Sequence, residues 1–200
     1  MHQPFCRCAV IMDEAREQLD AGFLARLREG DRDAFEHLVK CYERPMFNLA
    51  WRMLGNSTEA ADATQNVFMK VLEHVRDYDP KYRLFSWIYR IAVNESIDRL
   101  NRRKRTASYD DRAEEMSLES GERGPDELVG TGQMHALIEA ALMELQQDYR
   151  AIIVLRHFSG CHYREIAEIL QIPEKTVKSR LFSARKELRN RLSARGVVSA

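Results

Sequence analysis

The stretch of this chain with the clearest chemistry is YREIAEILQIPEKTVKSRLFSARKEL, residues 163–188. Tyr163, Ile166, Ala167 and Leu170 recur at helical spacing, as do Val177, Leu181, Ala184 and Leu188. Between the two sets Gln171, Ile172 and Pro173 turn the chain, and Pro173 falls where a starting helix has no use for a backbone N–H. Small Ala167 permits close helix approach and Ile172 plugs the turn, so the segment is predicted to be a helix-turn-helix. The outward face of its second helix carries Lys175, Lys178, Ser179, Arg180, Ser183 and Lys186, with Arg185 between the two faces. Such a face suits a major groove, with cations on phosphates and guanine edges. A charge run is usually only a solvated face, but here one-sided basic charge and turn geometry coincide.

A second stretch, DPKYRLFSWIYRIAVNESIDRLNRRKR at 79–105, interleaves aromatics with bases. Tyr82, Phe85, Trp87 and Tyr89 lie among Lys81, Arg83 and Arg90, ahead of the acid-free run RLNRRKR. Single-stranded nucleic acid is held in this way, each base stacking on a ring while cations follow the backbone. For any one ring, core packing is the stronger competing reading, because Phe85, Ile88, Ile91, Ala92 and Ile97 also form an apolar stripe.

Helices must position both stretches. Apolar residues at helical spacing run from about residue 21 to 104, through Leu24, Leu27, Phe35, Leu38, Val39, Tyr42, Phe47, Ala50, Trp51 and Leu54. The segment EAADATQNVFMKVLEHV, 59–75, has a seam of Ala63, Val67, Val71 and Val75 flanked by Phe68, Met69 and Leu72, with Asp62, Gln65, Asn66, Lys70 and Glu73 on its polar side. Helical patterning resumes at Met134 and continues to Leu192. Strand-like alternation does not compete anywhere. The expected fold is all-α: two small helical domains, 21–105 and 133–195, joined by a linker at 106–132. Residues 1–20 are expected to be a peripheral extension, with Met12 a plausible start of its own, and 196–200 a tail.

The formal net charge is zero, yet the charge is sorted. Within 106–132 eight acids face only Arg112 and Arg123, a net of −6. The same segment holds Gly121, Gly124, Pro125, Gly130 and Gly132 and few large apolar side chains, so it cannot offset its chain entropy and is expected to be flexible. Within 174–195 eight bases face only Glu174 and Glu187, a net of +6.

Several classes are excluded. The longest early apolar run, Ala9 to Met12, is far too short for a signal peptide, and no run approaches the roughly 20 residues of a membrane span, so a cytoplasmic protein with no membrane insertion is expected. Cys6, Cys8, Cys41 and Cys161 lack paired metal-ligand spacing and read as plain thiols. His157, Cys161 and His162 match no ligand pattern. With no nucleophile elbow or phosphate loop, neither an enzyme nor a cofactor is expected.

Taken together, FSWIYRIAVNESIDRLNRRKR followed after a linker by YREIAEIL and TVKSRLFSARKEL resembles the extracytoplasmic-function sigma factors of the sigma-70 family, over residues 23–192. The resemblance implies a promoter-specificity factor for core RNA polymerase. The minus-ten strand would be met by Tyr82, Arg83, Phe85, Trp87, Arg90, Asn94, Arg99, Arg102 and Arg103, with Asn94 and the loop 79–86 helping to form a pocket for a flipped base. The minus-thirty-five duplex would be met by Lys175, Thr176, Lys178, Ser179, Arg180, Phe182, Ser183, Arg185 and Lys186. Asp62, Gln65, Asn66, Phe68 and Lys70 would dock on the clamp-helix coiled coil of the polymerase's largest subunit. At Asn66 the family usually has an acid. The acidic linker would thread the polymerase's basic channels, and an anti-sigma factor would hold the free protein inactive.

Two other classes compete. A regulator with the same C-terminal motif leaves the 85–105 block unexplained, and an adaptor clasping a partner with two helical domains leaves the basic recognition face unexplained.

Overall fold

A computed structural model describes residues 21–109 and 132–197. The expected extension at 1–20 and nearly all of the acidic linker lie outside the described residues.

All regular structure among the described residues is helical. Helix α1 (Ala21–Arg28) buries Phe23 and Leu27. Helix α2 (Arg32–Leu54) starts at Asp31, whose carboxylate accepts from the N–H groups of Asp33 and Ala34. It stops at Gly55, which takes the left-handed φ of 74° that a side chain would resist. Helix α3 (Ser57–His74) is capped by Asn56, which accepts from Glu59 N–H at 2.9 Å. A 3-10 turn at Val75–Asp77 follows, tied down by Arg28, which donates to the carbonyls of Val75 and Tyr78.

Helix α4 (Leu84–Tyr109) carries the aromatic and basic stretch. It runs four residues past the expected boundary at 105, because 106–109 contain no helix breaker and Thr106 Oγ donates back to the Arg102 carbonyl. Helices α2, α3 and α4 pack on one another around Leu38, Met46, Leu49, Met53, Val67, Val71, Ile88 and Ala92.

The second block contains α5 (Gly132–Met143), α6 (Gln147–Ile153) with a π turn at Val154–Phe158, α7 (Tyr163–Leu170) and α8 (Glu174–Ala194). Gln171 ends α7 with a left-handed φ of 53°, and Ile172 N–H donates to the Ala167 carbonyl, closing the turn. Pro173 is the N-cap of α8, with Thr176 and Val177 donating to its carbonyl. The helix-turn-helix expected at 163–188 is therefore present.

The two blocks pack directly against each other, a feature that a reading as tethered domains left open. Arg150, almost fully buried, donates to the Met53 carbonyl in the first block and to the Met143 and Leu145 carbonyls in its own. The Arg52 guanidinium lies over the Phe158 ring at 4.6 Å. Helix α4 meets α7.

Candidate nucleic-acid interface

The N-terminal end of α4 is built on the loop before it. Asp79 accepts from Lys81 N–H at 3.0 Å, closing a local turn. The Tyr78 hydroxyl donates to the Tyr82 carbonyl, and the buried Tyr78 ring packs beside Trp87 with centroids 5.2 Å apart. Tyr82, half-buried, has the Lys81 ammonium 5.0 Å and the Arg90 guanidinium 5.2 Å from its ring centre. Arg83, just before α4, and Trp87, Arg90 and Asn94 within it follow at spacings of four, three and four, which lines them up along one face of the helix. Arg83 and Asn94 are exposed, Trp87 and Arg90 partly so.

Phe85 differs from its neighbours. It is buried in the core, 4.2 Å from the Tyr89 ring, and presents no face on which a base could stack. The core-packing alternative describes it, and the exposed part of the platform comes from Tyr82 and Trp87.

Further along α4, Arg102 and Arg105 are exposed and Arg103 partly so. Arg99 is turned back one helical turn onto Glu95, with its Nε 2.8 Å from the carboxylate. Lys70 reaches the same carboxylate from α3 at 2.7 Å, and Asn66 donates to it at 3.1 Å. Burial by itself would raise the Glu95 pKa. Hydrogen bonds from Lys70, Arg99 and Asn66 outweigh that and hold it down at about 2.

Of the expected docking residues on α3, Asp62, Gln65 and Asn66 are exposed. Phe68 is not, being buried edge-on against Phe35 at 6.4 Å. The structure adds Met69, 57% exposed, and Leu72 to that face. At +4 and +7 from Gln65 they continue its face, and their apolar character beside a polar rim marks a contact surface. The sequence pattern had assigned both to the flanks of the buried seam. Glu95 was missed as well, although it lies on the apolar stripe through Ile88 and Ala92, where a fully buried acid requires partners.

On α8, Val177, Leu181 and Ala184 are buried, as the helical spacing required. Outward stand Lys175, Lys178, Ser179, Lys186 and Phe182, the last 72% exposed. Thr176 and Ser183 are partly buried at the edge. Arg180 leans onto Asp148 of α6 at 3.4 Å. Arg185 donates to His157 Nε2 at 3.1 Å; burial, and then Arg185 and Arg156, push the His157 pKa down, which keeps the imidazole a neutral acceptor.

The two surfaces adjoin. Arg83 meets the Glu165 carboxylate at 3.3 Å and Ser86 Oγ donates to Glu168 at 2.9 Å, both acids lying on α7. Tyr82 lines an open cleft there with Arg164, Ala167, Glu168, Gln171 and Glu174. Among the described residues no helix is long and apolar enough to cross a membrane.

Comparison with known proteins agrees with this architecture. Residues 38–106 match the sigma-70 region 2 family and residues 135–188 the sigma-70 region 4 family. The chain is 32% identical over 176 residues to the ECF RNA polymerase sigma factor SigW of Bacillus subtilis, covering 84% of this chain and 94% of that one. It is 31% identical over 184 residues to the ECF RNA polymerase sigma-E factor of Escherichia coli K12, covering 88% and 96%. Among solved structures it resembles CnrH in complex with the cytosolic domain of CnrY, with TM-score 0.64, 22% identity and coverage of 86% and 96%. It also resembles the sigma factor RpoE in complex with the anti-sigma factor NepR from Bartonella quintana, with TM-score 0.65, 22% identity and coverage of 80% and 96%. With two sigma-70 regions in order and relatives above 30% identity along most of its length, this chain belongs to the extracytoplasmic-function RNA polymerase sigma factors, which are transcription initiation factors and not enzymes.

Proposed function

We propose that the chain binds core RNA polymerase and directs it to promoters by gripping DNA at two points. Asp62, Gln65 and Asn66, extended by Met69 and Leu72, form the docking face on the polymerase's clamp-helix coiled coil. Tyr82, Arg83, Trp87, Arg90 and Asn94 receive the minus-ten strand, with Arg102 and Arg103 on its backbone. Lys175, Thr176, Lys178, Ser179, Phe182, Ser183 and Lys186 read the minus-thirty-five duplex, with Arg180 and Arg185 toward phosphates.

The observation that carries this reading is the division of α8. Its inner residues are buried, while its outer face exposes the cations Lys175, Lys178 and Lys186 together with Phe182, a large aromatic residue that is mostly exposed. Control by an anti-sigma factor is supported by the likeness to RpoE bound to NepR.

Run-off transcription with purified bacterial core polymerase tests the proposal. Adding the chain is expected to yield transcripts from discrete start sites on genomic promoter fragments. If the chain neither associates with core polymerase nor alters initiation, the reading fails.

A further inference from the structure

Glu95 lies midway along α4 with only 1% of its side chain exposed, and four side chains converge on it. Lys70 Nζ donates to Oε2 at 2.7 Å, Arg99 Nε to Oε1 at 2.8 Å and Asn66 Nδ2 to Oε1 at 3.1 Å. Arg102 stands 3.8 Å from Oε1. Asn66 and Lys70 come from α3, Arg99 and Arg102 from the next two turns of α4. One buried negative charge therefore lies beneath three positive ones.

The three cations are not equivalent. Arg99 is only 18% exposed and its Nε is committed to Glu95. Lys70 forms the shortest ion pair of the group. Arg102 is 58% exposed, and its pairing is the loosest.

We infer that Glu95, itself anchored to α3 by Lys70, sets binding specificity by withholding Arg99 from nucleic-acid phosphates, leaving Arg102 and the residues beyond it to meet the backbone. This rests on the proposal that α4 meets promoter DNA. Backbone contacts carry no sequence information, and each cation that neutralises a phosphate strengthens binding to every strand alike. A surface with all of its cations available would hold non-promoter DNA too well, compressing the margin by which the bases read by Asn94 and the aromatic loop decide the outcome. A buried carboxylate removes one unit of that sequence-blind attraction and keeps two helices clasped. A purely structural clasp would affect folding alone, so the salt dependence of binding separates the two roles.

The test compares holoenzymes assembled from core polymerase and the full-length chain, binding a non-promoter oligothymidylate over a series of salt concentrations. Glu95→Gln preserves shape and an acceptor oxygen while removing the charge. It is expected to bind several-fold tighter at low salt, with the slope of log K against log salt steeper by about 0.7, one phosphate equivalent on a single strand. Arg99→Met is expected to leave the wild-type slope unchanged, whereas Arg102→Met makes it shallower by about 0.7. Arg99→Met keeps the question open to experiment should Glu95→Gln fold poorly. A wild-type slope for Glu95→Gln, or a loss in Arg99→Met equal to that in Arg102→Met, overturns the inference while leaving α4 a DNA-binding surface. Identical slopes for Arg102→Met, Arg99→Met and wild type overturn both the inference and the placement of α4 on DNA.

Discussion

The Ser86 hydroxyl, fully buried near the start of α4, donates to the Glu168 carboxylate of α7 at 2.9 Å. This bond joins the loop proposed to read the minus-ten strand to the first helix of the motif proposed to read the minus-thirty-five duplex. On a promoter those two elements are some two dozen base pairs apart, about 80 Å at 3.4 Å per pair. Under the proposed function, both readers engage one promoter only when this junction opens.

Glu168→Ala should loosen this junction. It removes the acceptor of Ser86 and spares Glu165, which also caps α7 by accepting from His162 N–H. The expected effects are a loss of about 1 kcal/mol in urea unfolding and a larger radius of gyration in solution scattering. An unchanged radius would mean that other contacts hold the blocks together.

Phe182→Ala and Leu181→Ala separate recognition from folding on adjacent positions. Phe182 is exposed and packs little, so its loss should alter stability by less than about 0.5 kcal/mol while weakening binding to upstream promoter duplex. Leu181 is buried, and its truncation should cost about 2–5 kcal/mol. Thermal melts and a duplex-binding assay on each variant check the pair.

Gly55→Ala should destabilise the join between the blocks. A β-carbon there would lie 2.7 Å from Met143 Sδ, and a φ of 74° is left-handed. Met143 can swing aside, but the backbone penalty of about 1–2 kcal/mol stays. Gly55→Asn, better suited to that φ, should lose less of the melting temperature.

Acid should unclasp α3 from α4. The folded-state pKa of Glu95 is depressed, so its contribution is complete above its ordinary value of 4.5 and disappears as pH falls toward about 2. Among the described residues the groups facing it are Asn66 and Lys70 from α3 with Arg99 and Arg102 from its own helix, all of them donors. Urea midpoints measured between pH 5 and pH 2 should fall more steeply for wild type than for Glu95→Gln. Parallel curves would show that the cluster does not link α3 to α4.

The helix-turn-helix could be read from the sequence because its determinants are local. Apolar residues three and four apart, a turn plugged by Ile172 and a proline at the N-cap of α8 specify it within 26 residues. The helical character of the first block was legible for the same reason, and the order of two motifs, one in each block, pointed to the family. What tertiary structure decided are the relationships between distant positions. Asn66 and Glu95 meet across 29 residues, Ser86 and Glu168 across 82, and Arg150 and Met53 across 97. Periodicity names the face of a helix on which a residue lies but not what packs against that face. Phe85 and Phe68 therefore carried the chemistry of a contact yet lie in the core, while Met69 carried that of a core residue yet faces outward. For a carboxylate such as Glu95, function depends on which cations the neighbouring helix brings to it, and only the packed helices supply them.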